Sequence, residues 1–141
     1  MKTSEAVFID TSGWIALLNA DDYLHADARR LLNQFGVDRR HLVTTDWVLA
    51  ETGNGLAKYA ARVRFARSVE VFVTSATGRL VRIEEPTFQR ALSLYAQASD
   101  KTWGLVDCAS FVIMRDQGLT AALTADRDFE QAGFQCLLPK Q

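Results

Sequence analysis

Short unbroken apolar runs alternate along the chain with longer stretches in which apolar residues recur every three or four positions. The short runs fall at 6–9, 42–43, 80–83, 121–123 and 136–138. Runs of that length with few polar interruptions suit strands buried on both faces of a parallel sheet, so five strands are expected. The longer stretches carry helical spacing. Trp14, Leu17 and Leu18 stand at i, i+3 and i+4, and Ala28, Leu31, Leu32 and Phe35 repeat the pattern, which predicts two consecutive helices after the first strand. A helix beginning near Asp46 puts Trp47 and Glu51 on one stripe, so Glu51 is a candidate to point inward. Pro86 suits the first helical position of a segment in which Phe88, Ala91, Leu92 and Tyr95 share a face. Residues 105–115 are apolar nearly all round, which marks a helix packed into the interior, and Gly118 is placed to cap it. Strands separated by helical crossovers predict an α/β fold: three layers, α/β/α, about a five-stranded, mainly parallel sheet.

Composition adds bounds to this picture. With 141 residues, 48% of them hydrophobic, and no linker-like stretch or internal repeat, residues 1–141 are expected to form a single domain. Sixteen basic against seventeen acidic residues leave a formal charge of -1, so no global field announces a nucleic-acid partner. Lys2 and Glu5 precede an opening apolar run far too short for a signal segment or a membrane span. A soluble, cytoplasmic protein with no membrane association is the expectation. Cys108 and Cys136 have neither metal-ligand spacing nor the numbers for a disulfide framework, and read as buried apolar fillers in a reducing compartment.

In parallel sheets of this kind ligands bind beyond the carboxyl ends of the strands, where strand order reverses. The first strand runs directly into Asp10-Thr11-Ser12 and the fourth into Thr124-Ala125-Asp126, so two carboxylates arrive at one edge. Asp107 falls in the first turn of the apolar helix, where the helix dipole tolerates negative charge but the neighbours are apolar. Taken singly, each acid has an ordinary reading. Asp10 and Asp126 suit turn or helix-cap positions, Asp107 suits a cap, and Glu51 suits a solvated helix surface. Taken together they differ, because no comparably placed Lys or Arg neutralises Asp10 or Asp107. Unit charges about 4 Å apart repel by roughly 4 kcal/mol at an effective dielectric near 20, so clustered carboxylates must protonate or bind a cation. All-oxygen ligation favours Mg²⁺ or Mn²⁺, and zinc is disfavoured because His25 and His41 form no ligand pair with a cysteine. A carboxylate-held divalent ion acidifies a water and offsets charge on phosphoryl oxygens, which points to nuclease or phosphatase chemistry.

Four blocks of sequence also resemble a known family: residues 8–19, Thr44-Thr45 with residues 48–51, residues 106–111, and residues 123–129. In their order and separations they are similar to the PIN domain, and within it to toxins of the VapC kind. That resemblance implies a Mg²⁺- or Mn²⁺-dependent endoribonuclease with a five-stranded parallel sheet, a homodimer, and an antitoxin partner. It maps the catalytic acids to Asp10, Glu51, Asp107 and Asp126, with Asp10, Asp107 and Asp126 as the metal ligands. Ser12 and Thr124 map to hydroxyl positions that support the site or merely cap and turn the backbone, and Asp128 either supplements the cluster or is an exposed turn residue. The chain departs from the family pattern at Thr52-Gly53-Asn54-Gly55, where two helical glycines imply a kink or a close-packed neighbour and leave the orientation of Glu51 open.

Local charge supplies what the total does not. Between Lys58 and Arg82 stand six cations (Lys58, Arg62, Arg64, Arg67, Arg79, Arg82) against the single Glu70, and Arg29, Arg30, Arg39 and Arg40 form a second group tempered by Asp27 and Asp38. Cations beside an acidic site suit an RNA backbone, while for any single arginine a solvated helix face or an antitoxin-docking surface is the better account. Trp14 and Trp47 stand at core-like positions, Trp103 reads as exposed and available to stack bases, and His25 reads as structural. Two rival readings differ in class. A haloacid-dehalogenase type phosphatase places a second Asp two residues after the first, where this chain has Ser12. A non-catalytic RNA- or protein-binding domain would have lost acids that this chain keeps, and a housekeeping nuclease would lack the antitoxin.

Overall fold

The computed structural model describes residues 5–140; Lys2, which precedes the opening apolar run, lies outside that range. The elements in chain order are β1 (Val7–Ile9), α1 (Thr11–Leu18), α2 (His25–Val37), β2 (Leu42–Thr45), α3 (Asp46–Gly55), α4 (Ala61–Thr74), β3 (Gly78–Val81), α5 (Glu85–Gln97), α6 (Leu105–Asp116), β4 (Ala121–Leu123), α7 (Arg127–Gln131) and β5 (Gln135–Cys136). The five strands make one sheet in the order β3-β2-β1-β4-β5, and every pair is parallel. Steps from β1 to β2 and on to β3 run one way, whereas β3 to β4 crosses back and β4 to β5 runs the other way. Right-handed crossovers therefore place α1 to α4 on one face and α5 to α7 on the other. Packing agrees, with α1 against α2, α3 and α4, and α6 against α5 and α7. No helix among the described residues is long and apolar enough to cross a membrane.

Strand boundaries shift where polar groups decide them. The second strand extends through Thr44 and Thr45, both fully buried, because threonine is β-branched and its hydroxyl finds a partner: Thr44 Oγ1 donates to Ile9 O at 2.9 Å. The third strand lies at Gly78–Val81 instead of 80–83, since the Ile83 N–H leaves the ladder and donates to Asp46 Oδ1 at 2.9 Å. The fifth is shorter than 136–138 by assignment, yet Leu137 and Leu138 still donate to Ala122 O and Thr124 O. Two further helices lie outside the sequence expectations. α4 packs a stripe of Ala61, Phe65, Val69 and Phe72 on the core, and α7 is a single short turn around Phe129.

The buried stripe of α5 runs through Phe88, Ala91 and Leu94, so Leu92 and Tyr95 are not core residues but exposed ones. Helix α6 is buried from Cys108 to Met114 as its composition predicts, and Gly118 adopts the left-handed conformation just past its end. Trp14 packs edge-on to Phe72, and Trp47 edge-on to Phe88. Trp103 is not a free stacking platform: its ring is edge-on to Phe111 at 5.0 Å and its indole N–H donates to Gln131 Oε1 at 2.8 Å. His25 Nδ1 donates to Ala16 O at 2.8 Å, a structural tether. Cys108 is buried and Cys136 half-buried, both as free thiols.

Two glycines mark close approaches. Gly53 lies under the Phe65 ring, so the departure from the family pattern is a packing contact, and α3 continues through it. Gly13 brings α1 onto the Leu123 carbonyl of β4, where a Cβ would collide with backbone. Gly13→Ala is therefore expected to cost about 1–3 kcal/mol, because neither the helix nor a central strand can yield cheaply. A denaturant midpoint equal to that of the parent would show that α1 can lift off β4 freely.

Candidate functional site

The β1–β4 pair is the point where strand order reverses, and the chain after each strand delivers side chains to the same edge. The Asp10 N–H bonds to Leu123 O at 3.3 Å, which locks the end of β1 to β4 before α1 begins. Asp10 occupies the N-cap position of α1, yet its side chain makes no capping bond. It turns inward instead, 3% exposed. Thr124 is fully buried beside it, and the hydroxyls there admit one consistent proton count. Thr124 Oγ1 accepts from the Asp126 N–H at 3.0 Å, and Ser12 Oγ accepts from the Ala125 N–H at 3.0 Å. The Ser12 hydroxyl then donates to Thr124 Oγ1 at 3.0 Å, leaving the single Thr124 proton for Asp10 Oδ2 at 3.1 Å. Ser12 and Thr124 thus connect one acidic residue to the backbone that carries another.

The second oxygen of Asp10 has no such donor. Asp10 Oδ1 is buried without any hydrogen-bond partner, an arrangement that leaves a carboxylate lone pair unsatisfied. Burial pushes the Asp10 carboxyl up to about 7, helped by the charges of Asp107 and Asp126. The Thr11 N–H, which falls short of a capping bond, and the Thr124 hydroxyl oppose that rise.

Asp107 lies in the first turn of α6 and its Oδ2 accepts the Gly104 N–H at 3.0 Å. That is half of a capping box, since Gly104 has no side chain to return the bond. The capping role open to Asp107 is therefore real, and it coexists with the site. Burial raises its carboxyl to about 6 against the pull of the Gly104 N–H, with Asp126, Asp128 and Glu51 adding to the rise. Asp126 caps α7 by accepting the Asp128 N–H at 2.9 Å. Asp128 is partly covered; burial and the Asp126 charge hold its carboxyl above the ordinary range, and a long 3.4 Å contact from Thr102 Oγ1 opposes them.

Asp107, Asp126 and Asp128 each offer an oxygen within 4.8 Å of the other two. Asp128, one of whose readings was an exposed turn residue, thus stands inside the tightest group. Asp10 and Glu51 lie outside that group, Asp10 joined to it by Thr124 and Glu51 on the solvent side. Glu51 does not point into the core as its helical stripe suggests. It is exposed, and its Oε1 accepts a hydrogen bond from the Thr11 hydroxyl. Thr11 and Thr102 are the polar neighbours that sequence reasoning did not single out. Thr11 had a signal, its place beside Asp10, whereas Thr102 reaches the site only through the path of the 98–104 loop.

Among the described residues no ion pair involves Asp10, Glu51, Asp107, Asp126 or Asp128; the ion pairs present lie elsewhere, as in Arg90 with Asp116 and Arg127 with Glu130. Five carboxylates without a cation, one with a buried orphan oxygen, form a site chemically suited to a hard divalent ion.

Known proteins share this fold. The PIN domain model matches residues 7–135. The chain is 30% identical over 134 residues to the 23S rRNA-specific endonuclease VapC20 of Mycobacterium tuberculosis, covering 95% of this chain and 99% of that protein. The crystal structure of Mycobacterium tuberculosis VapC20, described as a Sarcin-Ricin loop cleaving toxin, superposes with a TM-score of 0.82 at 29% identity, over 95% of this chain and 100% of that one. A DNA-bound VapBC from Salmonella typhimurium shares the fold at 17% identity, with a TM-score of 0.65 over 94% of this chain and 97% of that one. The family model, the 30% identical relative and the superposed structure each cover most of the chain, and the chain belongs to the PIN domain family.

Proposed function

We propose that this chain acts as a single PIN-like unit, a Mg²⁺- or Mn²⁺-dependent endoribonuclease that serves as the toxin of a toxin–antitoxin pair. The observation that carries the reading is the unneutralised acidic site, above all the buried Asp10 Oδ1 with no donor. Asp107, Asp126 and Asp128 would hold the ion, with Asp10 completing the set from the β1 side, so Asp128 joins the Asp10, Asp107 and Asp126 expected from the resemblance. The bound ion supplies an acidified water and offsets charge on the phosphoryl oxygens. The protein contributes the positions. Thr124 and Ser12 orient Asp10, Gly104 fixes Asp107, and Asp126 is anchored by its own helix cap.

The relative that cuts 23S rRNA makes ribosomal RNA the first candidate substrate. Exposed Arg82 follows β3 at the same edge of the sheet, where a cation suits the phosphate backbone. On the other side of α1 lies a cavity of about 350 Å³ walled by Leu17, Leu32 and Phe72, with Arg29, Arg64 and Arg67 around it. An amphipathic antitoxin segment with apolar anchors and flanking carboxylates fits that chemistry. A homodimer would give exposed Leu92 and Tyr95 on α5 a covered place.

Cleavage of 23S rRNA should require Mn²⁺ or Mg²⁺ and fall by about 100-fold or more in Asp10→Asn or Asp107→Asn. Full cleavage by the stringently purified double variant would remove the cluster from the chemistry. In cells, induction is expected to arrest growth unless a neighbouring gene is co-expressed. Val71→Asp, beside the arginines of the cavity, should weaken that protection while leaving cleavage intact; unaltered rescue would move the antitoxin elsewhere.

Protons provide a separate test. Asp10 and Asp107 bind a proton more tightly in the folded chain than unfolded, so between about pH 4 and their folded values of about 7 and 6 the native state holds the extra protons. Metal-free stability should therefore fall as pH rises from 5 to 8, by about 1.4 kcal/mol per pH unit for each group still titrating. Saturating Mn²⁺ should restore it most at pH 8, and Asp10→Asn should flatten the slope. A metal-free denaturation midpoint that climbs with pH over that window would contradict the charge argument.

A further inference from the structure

Glu51 differs from the other site acids in how it is held. Asp10 is buried, Asp107 and Asp126 accept backbone N–H groups, and Asp128 lies against Asp126. Glu51 is an exposed residue of α3 whose carboxylate sits on three rotatable bonds. Ordering such a side chain carries an entropic cost comparable to the gain from one hydrogen bond to a carboxylate, so a single donor decides whether it stays in place. That donor is the Thr11 hydroxyl, on Glu51 Oε1. Thr11 is itself fixed. It follows Asp10, whose N–H is tied to β4, and it opens α1, where a β-branched side chain has few rotamers.

One Glu51 oxygen is thus occupied and the other has no hydrogen bond among the described residues, on a residue outside the group of oxygens that closes to within 4.8 Å. We propose that Thr11 is a positioning residue for Glu51: it holds the carboxylate at the mouth of the acidic cluster, where Oε2 accepts a hydrogen bond from the attacking water instead of binding the ion. The inference rests on the nuclease reading above.

The test uses Thr11→Val, Thr11→Ser, Glu51→Gln and the Thr11→Val/Glu51→Gln double variant, with 23S rRNA as substrate, Mn²⁺ alone as the calorimetric ligand, and the Glu51 Cδ resonance of the metal-free protein. Thr11→Val should lower kcat by about 10-fold or more, the usual cost of losing a partner that orients a site residue, while KM and Mn²⁺ affinity stay within about twofold. Thr11→Ser keeps the hydroxyl and should retain cleavage within about threefold, with the Glu51 resonance moved in Thr11→Val only. The double variant should be no slower than Glu51→Gln. Wild-type kcat in Thr11→Val, an unmoved Glu51 resonance, or a double variant another tenfold below Glu51→Gln would overturn the proposal. A wild-type protein that binds Mn²⁺ and shows the Thr11-dependent Glu51 resonance but cuts no RNA would overturn the nuclease reading and the water-orienting role together, leaving only the hydrogen bond.

Discussion

Thr124 has one proton to donate, and the structure leaves it one place to go. With its lone pairs taken by the Asp126 N–H and the Ser12 hydroxyl, that proton reaches Asp10. Through this one hydroxyl the end of β1, the start of α1 and the entry to α7 hold a common geometry. Gly13 makes the approach feasible, because without a side chain α1 can rest on the Leu123 carbonyl while Ser12 meets Thr124. The same bond leaves half of Asp10 unsatisfied. The fold therefore stabilises one oxygen of a buried acid and exposes the protein to the electrostatic cost of the other.

That cost organises what surrounds it. Asp107, Asp126 and Asp128 crowd their charges at the same edge, and no ion pair among the described residues involves them. In a purely structural cluster, an arginine among these acids would relieve the repulsion. Among the described residues no arginine pairs with them, and an unneutralised acidic cluster is more characteristic of a functional site than of a scaffold. The helix caps at Asp107 and Asp126 are part of this arrangement, since each uses a backbone N–H to keep one oxygen in place while the group remains available.

Much of this was legible from residue order alone. Buried central strands announced themselves as apolar runs, and Asp10 and Asp126 followed from the rule that chemistry gathers beyond strand ends. The misplacements have local causes. Thr44 and Thr45 are strand residues that an apolar-run criterion passes over, Ile83 leaves its ladder for the Asp46 carboxylate, and the α4 stripe of Phe65, Val69 and Phe72 is blurred by the exposed Val63, Val71 and Val73 beside them. Leu92 and Tyr95 were counted on the wrong side of α5 because an apolar residue four positions from the buried face looks the same in sequence as one on it. Within the site, what sequence could not supply was direction: that Glu51 faces solvent and leans on Thr11, and that Asp128 turns toward Asp107 while Trp103 packs on Phe111 and bonds Gln131.

The pairing of β1 with β4 also has a meaning in time. Asp10 and Thr124 are 114 positions apart, and the strands between them are laid down on the far side of β1. During synthesis the first acid must wait, unpartnered, until nearly the whole chain has left the ribosome. A chain broken anywhere before β4 lacks Thr124, Asp126 and Asp128, so no amino-terminal fragment can assemble the acidic set.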